Sequence, residues 1–383
     1  MRRHRRTKSN RRTLKKILKI ISISIFSVIM FGVISSCIIF YAPFQATRKV
    51  RDLIVTTAMA TMTHQYIAKL FLSDAEIQKI LDDNTVKPTN EKTDESAITV
   101  YSNKDTKDEE RLGKDNSDIN DIKLINITGK TAGKTFKGYL LEVKDPSRIK
   151  LGYTDKLGKI GLKLNEMNSL YHAVGGINAG GFVDVKGIGN GGVPTGIIIS
   201  DHKVVFGFDS ELSYRKKYGE AAVPPKETKE NIIGFDDNNV LILGLYTLRE
   251  AEQLHIRDAI SFFPYLIVNG KPQIIKGDGG WGINPRTAIG QTKDGTVLLL
   301  VIDGRQISSI GVTLKDIQDI MLKYGAVNAA NLDGGSSSTM YLHDKLINHP
   351  CSSAGERYLP TAFMILPSQN GNDSEEVSEE NYP

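Results

Sequence analysis

Three Asp-Gly corners are the features of this 383-residue sequence whose residue types could do chemistry. They are Asp278-Gly279-Gly280, Asp303-Gly304-Arg305 and Asp333-Gly334-Gly335. The corner at Asp303 directly follows the apolar run 297–302, so its carboxylate is predicted at the end of a rigid strand with open space beside it, where a functional group can be held accurately. Taken alone, each Asp-Gly pair is better explained as ordinary turn chemistry. The neighbouring residues must decide between the two interpretations.

The segment 331–340 holds the densest set of polar side chains beside any of these corners. It reads Asn-Leu-Asp-Gly-Gly-Ser-Ser-Ser-Thr-Met and has apolar residues on both sides. Paired glycines let a ligand approach the backbone N–H groups, and the hydroxyls of Ser and Thr can donate to sugar or phosphate oxygens. We predict that this segment forms one wall of a binding site.

Two other segments could complete that site. Arg286 follows Asn284-Pro285 at the mouth of an apolar run, where its planar guanidinium could bind a phosphate; a salt bridge to a neighbouring Asp explains it equally well. Asn178, in the run Ile-Asn-Ala-Gly-Gly-Phe at 177–182, could close a pocket with its amide. The glycine-rich run 187–192 lacks the strand–loop–helix context and the Gly-Lys-Ser/Thr ending of a phosphate loop, so no nucleotide site is predicted.

The elements that would position these residues follow from apolar periodicity and turn signals. From residue 122 onward, short apolar runs of strand length alternate with glycine turns, and Asn269-Gly270 predicts a hairpin. The clearest helix covers 314–324, with Thr313 as its N-cap and Gly325 at its end. We predict an α+β fold: a single, sheet-rich mixed α/β domain over residues 122–367, followed by a disordered, acidic tail over 368–383.

Charge and hydropathy divide the first 121 residues into four parts. Residues 1–19 hold ten Lys and Arg and no acid, whereas the rest of the chain carries 39 basic and 44 acidic residues, so the basicity does not predict a nucleic-acid-binding surface. Residues 20–41 are apolar enough to anchor the chain in a membrane, with the basic tail in the cytoplasm and the domain outside. A cleaved signal peptide is the rival interpretation. Residues 42–81 predict a helical stalk, and the polar stretch 82–121 predicts a flexible linker.

Cysteine usage and carboxylate spacing bear on cofactors. Cys37 lies in the apolar run and Cys351 near the end of the domain, so no disulfide framework and no cysteine-based zinc site are predicted. Three Asp could hold a calcium ion through oxygen ligands, but their spacing gives no support for it. We therefore expect no cofactor.

In their order along the chain, six segments resemble the phosphodiester glycosidase family. They are Asn-Ala-Gly-Gly-Phe at 178–182, Pro-x-Gly at 194–196, Asn-Pro-Arg-Thr-Ala-Ile-Gly at 284–290, Val-Ile-Asp-Gly-Arg at 301–305, Gly-Val-Thr-Leu at 311–314 and the run 331–340. The resemblance covers about 170–366. Gly181 stands where the family often has an aromatic residue, and in the segment 355–357 only Arg357 fits the family pattern.

The resemblance implies hydrolysis of a sugar-1-phosphodiester to a free sugar and a phosphomonoester. Because phosphate is already a good leaving group, the reaction mainly needs charge stabilisation of the phosphate and a carboxylate near the oxocarbenium-like carbon. Arg286 is assigned to the phosphate, and Asp333 and Asp303 supply the carboxylates, one to activate water or act as nucleophile and the other to orient. The predicted substrate-binding residues are Asn178, Asp278, Thr287, Asn331, Gly334, Gly335, Ser336 and Arg357.

An anchored extracytoplasmic enzyme without disulfides is expected in a Gram-positive bacterium, acting on a phosphodiester of an envelope or exopolysaccharide glycan. Its expected partners are that carbohydrate and, through residues 20–41, the membrane. The sequence leaves open the sugar, the choice between hydrolysis and transfer, and the oligomeric state. The alternatives are a non-catalytic envelope module that binds polysaccharide through the same groove, and a structural membrane protein. The Asp corners favour the enzyme, because binding an anionic polymer would favour an excess of cations.

Overall fold

The computed structural model describes residues 2–61, 63–100, 122–184, 189–207, 228–352, 355–368 and 375–382. In the described residues beyond 121, three β-sheets share one apolar core and three helices pack in separate apolar clusters around them; this arrangement confirms the predicted sheet-rich α+β class. Among the described strands, every pair is antiparallel except β1 with β18 at the edge of the largest sheet.

The largest sheet has eight strands in the order β11-β10-β14-β12-β13-β2-β1-β18. Its strands are β1 Ile122–Thr131, β2 Lys134–Val143, β10 Tyr265–Val268, β11 Lys271–Pro272, β12 Arg286–Thr292, β13 Val297–Ile302, β14 Ala326–Asn331 and β18 Glu375–Asn381. Strand β13 is apolar at all six positions because both of its faces are buried. Alternate residues enter two different cores: Leu299 packs in the core shared with the other sheets, and Leu300 packs against helix 314–323.

Two five-stranded sheets pack against this one. The first has the order β16-β15-β4-β17-β3 and contains β3 Ile149–Tyr153, β4 Gly175–Asn178, β15 Met340–Leu342, β16 Lys345–Leu346 and β17 Thr361–Ile365. The second has the order β6-β5-β9-β7-β8 and contains β5 Ile198–Ser200, β6 Lys203–Phe206, β7 Lys229–Asp236, β8 Leu241–Thr247 and β9 Ile256–Ser261. Side chains from all three sheets meet in one cluster, which includes Phe363, Phe235 and Leu299.

The helices are α1 Arg2–Tyr41, α2 Gln45–Met59, α3 Tyr66–Lys69, α4 Asp74–Asn84, α5 Leu164–Tyr171, α6 Leu248–Gln253 and α7 Leu314–Lys323. The predicted helix 314–324 is confirmed as α7, where the Thr313 hydroxyl accepts a hydrogen bond from the Asp316 N–H at the first turn. The hairpin at Asn269-Gly270 is also confirmed: both residues have positive φ and join β10 to β11.

The N-terminal helix α1 includes the stretch Leu14–Tyr41, 28 residues that are long and apolar enough for a membrane anchor or a signal sequence. Its last turn packs on the next helices, since the rings of Phe40 and Phe71 stack at 4.3 Å and the Tyr41 hydroxyl donates to the Phe71 carbonyl.

Helices α2–α4 and Thr85 form a small unit with an apolar interior that includes Val55 and Ile77; we call residues 45–61 and 63–85 the N-terminal helical unit. A helical stalk was predicted over residues 42–81, with no contact to the domain specified. The unit packs against the β-sheet domain at residues 277–283. This contact joins segments 194 to 226 positions apart and leaves no signal in the local sequence.

The prediction of a flexible linker over 82–121 is wrong for residues 82–100, and residues 101–121 lie outside the described part of the chain. Val86 and Ile98 are buried in the domain cores. The Thr93 N–H donates to the Leu243 carbonyl and the Thr99 N–H to the Lys293 carbonyl. The composition of this segment did not reveal its order, because it has few apolar residues and is held in place by backbone hydrogen bonds to the domain.

The predicted disordered tail over 368–383 is also partly wrong. Residues 375–381 form β18, which pairs in parallel with β1 and adds an edge strand to the largest sheet. Residues 369–374 and 383 lie outside the described chain. Polar, acidic residues suit such an edge, because its outer side faces solvent.

Candidate active site

The Asp333 corner lies where three chain segments meet. Directly after β14 the Leu332 N–H donates to the Thr287 carbonyl, the Asp333 N–H to the Ala179 carbonyl and the Gly335 N–H to the Pro285 carbonyl. A Cβ atom at Gly334 would lie 2.9 Å from the Pro285 oxygen, so the close approach requires glycine at this position. The corner is therefore fixed to the segment after β4 and to the start of β12.

Asn178 ties these segments together from within the protein. Its Nδ2 donates to the Asp333 carbonyl at 2.5 Å, and its Oδ1 accepts from the Thr287 hydroxyl at 2.9 Å and the Thr339 N–H at 3.0 Å. Asn178 and Thr287 are both fully buried. Both were predicted to bind substrate, and that role stays a prediction; their observed contacts are with the site's own framework.

Replacing Asn178 by Ala should lower the free energy of unfolding by about 2–4 kcal/mol, because it leaves a hydroxyl, an N–H and a carbonyl buried without their partner. Chemical denaturation of the purified variant measures this. Thr287→Val removes only one of the three hydrogen bonds and should lower the free energy of unfolding by less. An unfolding free energy unchanged in Asn178→Ala would show that the amide does not hold the corner.

The Asp333 side chain is half-buried, and desolvation raises its pKa to about 6. A hydrogen bond from Ser337, the Gly334 N–H and the positive charge of Arg357 act in the opposite direction, whereas the negative charge of Asp184 adds to the rise. A carboxyl group that titrates near neutrality can serve as an acid, a base or a nucleophile.

Arg357 lies beside Asp333 and is held in place by four contacts. Its Nη1 donates to the Ser336 hydroxyl at 3.1 Å, and its Nη2 donates to the Gly189 carbonyl at 3.1 Å and pairs with Asp184 at 3.0 Å. The guanidinium also lies 5.1 Å from the centre of the Phe182 ring. The structure thus places Ser336, Arg357 and Asp184 near Asp333, and the predicted roles of Asp333, Ser336 and Arg357 stay predictions.

Asp303 lies at the end of β13 and is bonded to a different loop. Its Oδ1 accepts from the Asn348 amide at 3.0 Å and the His349 N–H at 2.9 Å, and burial raises its pKa. Asn348 in turn donates to the Ser338 carbonyl and accepts from the Met340 N–H. Asp303 is therefore bonded to the loop that follows the Asp333 corner, and its predicted role in the reaction stays a prediction.

Arg286 is 3% exposed and its donors are directed at backbone carbonyls. Nε donates to Val312 at 3.2 Å, and Nη2 donates to Trp281 at 2.9 Å and to Gly282 at 2.6 Å. Burial lowers its pKa to about 9, so the group is still protonated at neutral pH. Its predicted contact with a phosphate stays a prediction; its observed contacts hold the loop that contains Trp281.

Asp278 lies in that same loop, residues 277–283, which we call the glycine loop. Its Oδ1 accepts from the Gly280 N–H at 2.7 Å, and its Oδ2 accepts from the Thr56 hydroxyl at 2.5 Å. Burial raises its pKa. Its predicted role in substrate binding stays a prediction, and the structure gives it a partner in the N-terminal helical unit.

Two aromatic rings line the side of the site near Asn331. The rings of Phe262 and Trp281 meet edge to face at 6.5 Å, and both are partly exposed. Phe262 also takes the space beside Gly181, where a Cβ atom would lie 2.9 Å from its Cε2. The Asn331 Nδ2 donates to the Phe263 carbonyl at 3.4 Å, and its buried Oδ1 has no partner within the described chain.

The three Asp-Gly carboxylates do not converge on one point. Among the described residues, no group of three or more His, Cys, Asp or Glu side chains could hold a metal ion. The calcium site considered for Asp278, Asp303 and Asp333 therefore finds no support in their placement.

A family model for phosphodiester glycosidases matches residues 171–366, about half of the chain and nearly all of the region that forms this site. The chain belongs to the phosphodiester glycosidase family. The match includes the Asp333 corner, Arg357, Asp303 and the glycine loop.

Individual relatives agree with this assignment. The SPβ prophage-derived uncharacterized protein YomE of Bacillus subtilis is 32% identical over 147 residues, which are 37% of this chain and 23% of YomE. The bovine N-acetylglucosamine-1-phosphodiester alpha-N-acetylglucosaminidase is 41% identical over 68 residues, 18% of this chain and 13% of that enzyme. The chain thus spans less than a quarter of the length of either relative.

A solved structure shows the same fold. The catalytic domain of the zebrafish N-acetylglucosamine-1-phosphodiester alpha-N-acetylglucosaminidase, auto-inhibited by its pro-peptide, superposes with a TM-score of 0.52 at 21% identity, and the match covers 67% of this chain and 86% of that one.

Several residues of this phosphodiester glycosidase site were not predicted from the sequence. Asp184, Phe262 and Trp281 carried no motif, because an isolated acid or aromatic residue in a loop has many explanations. Arg305 was part of a quoted motif but received no role. Its Nη2 donates to Asn284 at 2.8 Å and lies close to Gly335, so it adds an exposed cation to the corner.

Proposed function

We propose that this phosphodiester glycosidase hydrolyses a sugar-1-phosphodiester in an envelope or exopolysaccharide glycan outside the cytoplasm. The observation that carries the proposal is the pairing at the Asp333 corner: a half-buried carboxyl group with a pKa of about 6 lies beside the guanidinium of Arg357 and the hydroxyl of Ser336. The reaction needs one group for the anomeric carbon and another for the phosphate, and the corner supplies both.

In this scheme the ionised carboxylate of Asp333 either attacks the anomeric carbon as the nucleophile or activates the water that attacks it. Arg357 and Ser336 bind the phosphate oxygens, and the exposed guanidinium of Arg305 supports the developing charge. Asp303 orients the loop through Asn348. Asn331 offers its unpartnered Oδ1 to a sugar hydroxyl or amide donor.

The bond that breaks joins the anomeric carbon to the bridging oxygen, which leaves with the phosphate. Water supplies the hydroxyl of the free sugar, and its remaining proton goes to Asp333 and then to solvent or to the phosphomonoester. Because phosphate leaves as a stable anion, the site needs no strong acid at the bridging oxygen.

The test is hydrolysis of model sugar-1-phosphodiesters by the full chain in detergent, carried out in ¹⁸O-labelled water. Equal release of reducing sugar and phosphomonoester is expected, with the label in the sugar, because the carbon–oxygen bond breaks. Label in the phosphate would instead indicate attack at phosphorus. Binding of the polymer without turnover would favour the non-catalytic polysaccharide-binding module.

The location is part of the same proposal. The basic residues before the apolar helix favour a cytoplasmic N-terminus, with the domain on the outer face of a Gram-positive cell. Cys351 is partly exposed on the domain, whereas Cys37 lies within the apolar stretch. A membrane-impermeant thiol reagent added to intact cells should label wild-type protein but not a Cys351→Ser variant. If Cys351 were labelled only after the cells are lysed, the domain would lie in the cytoplasm and the proposed orientation would be wrong.

A further inference from the structure

The glycine loop has a backbone that needs outside support. Four of its seven residues are glycines with positive φ: Gly277, Gly279, Gly280 and Gly282. Glycine loses more conformational freedom on ordering than any other residue. A loop of this composition therefore keeps one conformation only where its neighbours fix it.

The N-terminal helical unit supplies much of this support. A Cβ atom at Gly277 would lie 2.4 Å from the Asn84 Oδ1, one at Gly280 would lie 2.7 Å from the Thr85 Cα, and one at Gly282 would lie 2.3 Å from the Thr57 Cα. The absence of a side chain at these three glycines thus lets the unit pack directly on the loop's backbone.

Two side-chain hydrogen bonds fasten the same contact. The Thr56 hydroxyl donates to the Asp278 Oδ2 at 2.5 Å, and the Thr57 Oγ1 accepts from the Ile283 N–H at 3.0 Å. Thr56 is fully buried. A hydrogen bond to a carboxylate is among the stronger ones in a protein, so Thr56 makes the principal polar contact of this interface.

The opposite side of the loop faces the candidate site. Arg286 donates to the carbonyls of Trp281 and Gly282, and Pro285 accepts from the Gly335 N–H beside Asp333. The contacts therefore run without a break from Thr56 and Thr57, through the glycine loop, to Trp281 and the Asp333 corner.

We propose that the N-terminal helical unit is a positioning element for the active site: Thr56 and Thr57 hold the glycine loop so that Trp281 and Arg286 keep the geometry needed for turnover. This inference rests on the proposed function. Under it, the catalytic unit begins at residue 45 rather than at residue 122.

The test uses the full chain in detergent with the double variant Thr56→Val, Thr57→Val, which keeps side-chain shape but removes both hydroxyls. Misplacement of the loop should reduce kcat/KM roughly ten- to a hundredfold, and Thr56→Ser should retain nearly full activity. The matched control is Thr47→Val in the same helix, since the Thr47 hydroxyl bonds only to nearby carbonyls of Ala42 and Phe44.

A second measurement does not depend on activity. Trp281 is the single tryptophan of the chain and lies in the glycine loop, so its emission reports the loop alone. A red shift and faster quenching by iodide are expected in the double variant and not in Thr47→Val. Unchanged emission and kcat/KM would overturn the proposal, and increased activity would show that the unit covers the site. Lack of turnover by wild type would refute the proposed function, while the emission still decides whether the unit holds the loop.

Discussion

Replacing Asp333 by Asn should reduce kcat/KM on the order of 10³-fold while the protein stays folded, because acid–base or nucleophilic groups contribute effects of this size. Asn has the shape of Asp but can neither accept a proton at neutral pH nor attack a carbon. The Asp333 N–H and carbonyl, which hold the corner together, are unchanged in this variant. The measurement is steady-state hydrolysis of a sugar-1-phosphodiester.

The pH dependence of kcat/KM tests the same role of Asp333 in a second way. Desolvation raises the pKa of Asp333 to about 6, so the required carboxylate is mostly protonated below that value and ionised above it. The wild-type kcat/KM should therefore rise with pH up to about 6 and level off above it, and residual activity of Asp333→Asn should lack this acidic limb. Asp344→Asn, in an exposed turn with positive φ that Asn tolerates, is the control. An acidic limb that persists in Asp333→Asn would assign the titration to another group.

Replacing Arg357 by Gln should reduce kcat/KM about 10²-fold, the usual cost of losing one donor to a developing anion. It should also move the acidic limb to higher pH. The sign follows from the charge of Arg357, which lowers the pKa of Asp333; without it, the carboxyl group ionises less readily.

Asp184 provides the matched test, because its charge acts on Asp333 in the opposite direction. Asp184→Asn should move the acidic limb to lower pH. Each variant breaks the same ion pair, Arg357 with Asp184 at 3.0 Å. Loss of that ion pair alone would shift the pH profile of both variants in the same way. Acidic limbs that move in the same direction would therefore contradict the opposite effects of the two charges on the pKa of Asp333.

The predictions that held are those that depend on local sequence. Helix α7 was predicted because its cap, its apolar face and its terminal glycine all lie within thirteen residues. The hairpin at Asn269-Gly270 needs only two residues with positive φ. The corner at 331–336 could be singled out because its glycines and hydroxyls are consecutive, and its role as a site stays a prediction.

The features that local sequence could not predict depend on contacts between distant segments. Nothing near Asn178 indicates that its amide bonds to residues 109 and 161 positions away. Arg286 has the residue type of a phosphate ligand, but its orientation toward the Trp281 and Gly282 carbonyls follows from the folded glycine loop. The ordered course of residues 85–100 depends on hydrogen bonds to Leu243 and Lys293, which composition does not record.

The packing of residues 45–100 on the domain determines how far from its anchor this protein can act. A flexible connection of about 60 residues would let the site explore a radius of roughly 40 Å around the point of attachment. Here Phe40 of α1 stacks on Phe71, which lies just after α3, and the helical unit is bonded to the glycine loop. Under the proposed function, and with α1 held in a bilayer, the site would keep one height above the lipid surface and would cleave a glycan only where its phosphodiester comes to that height.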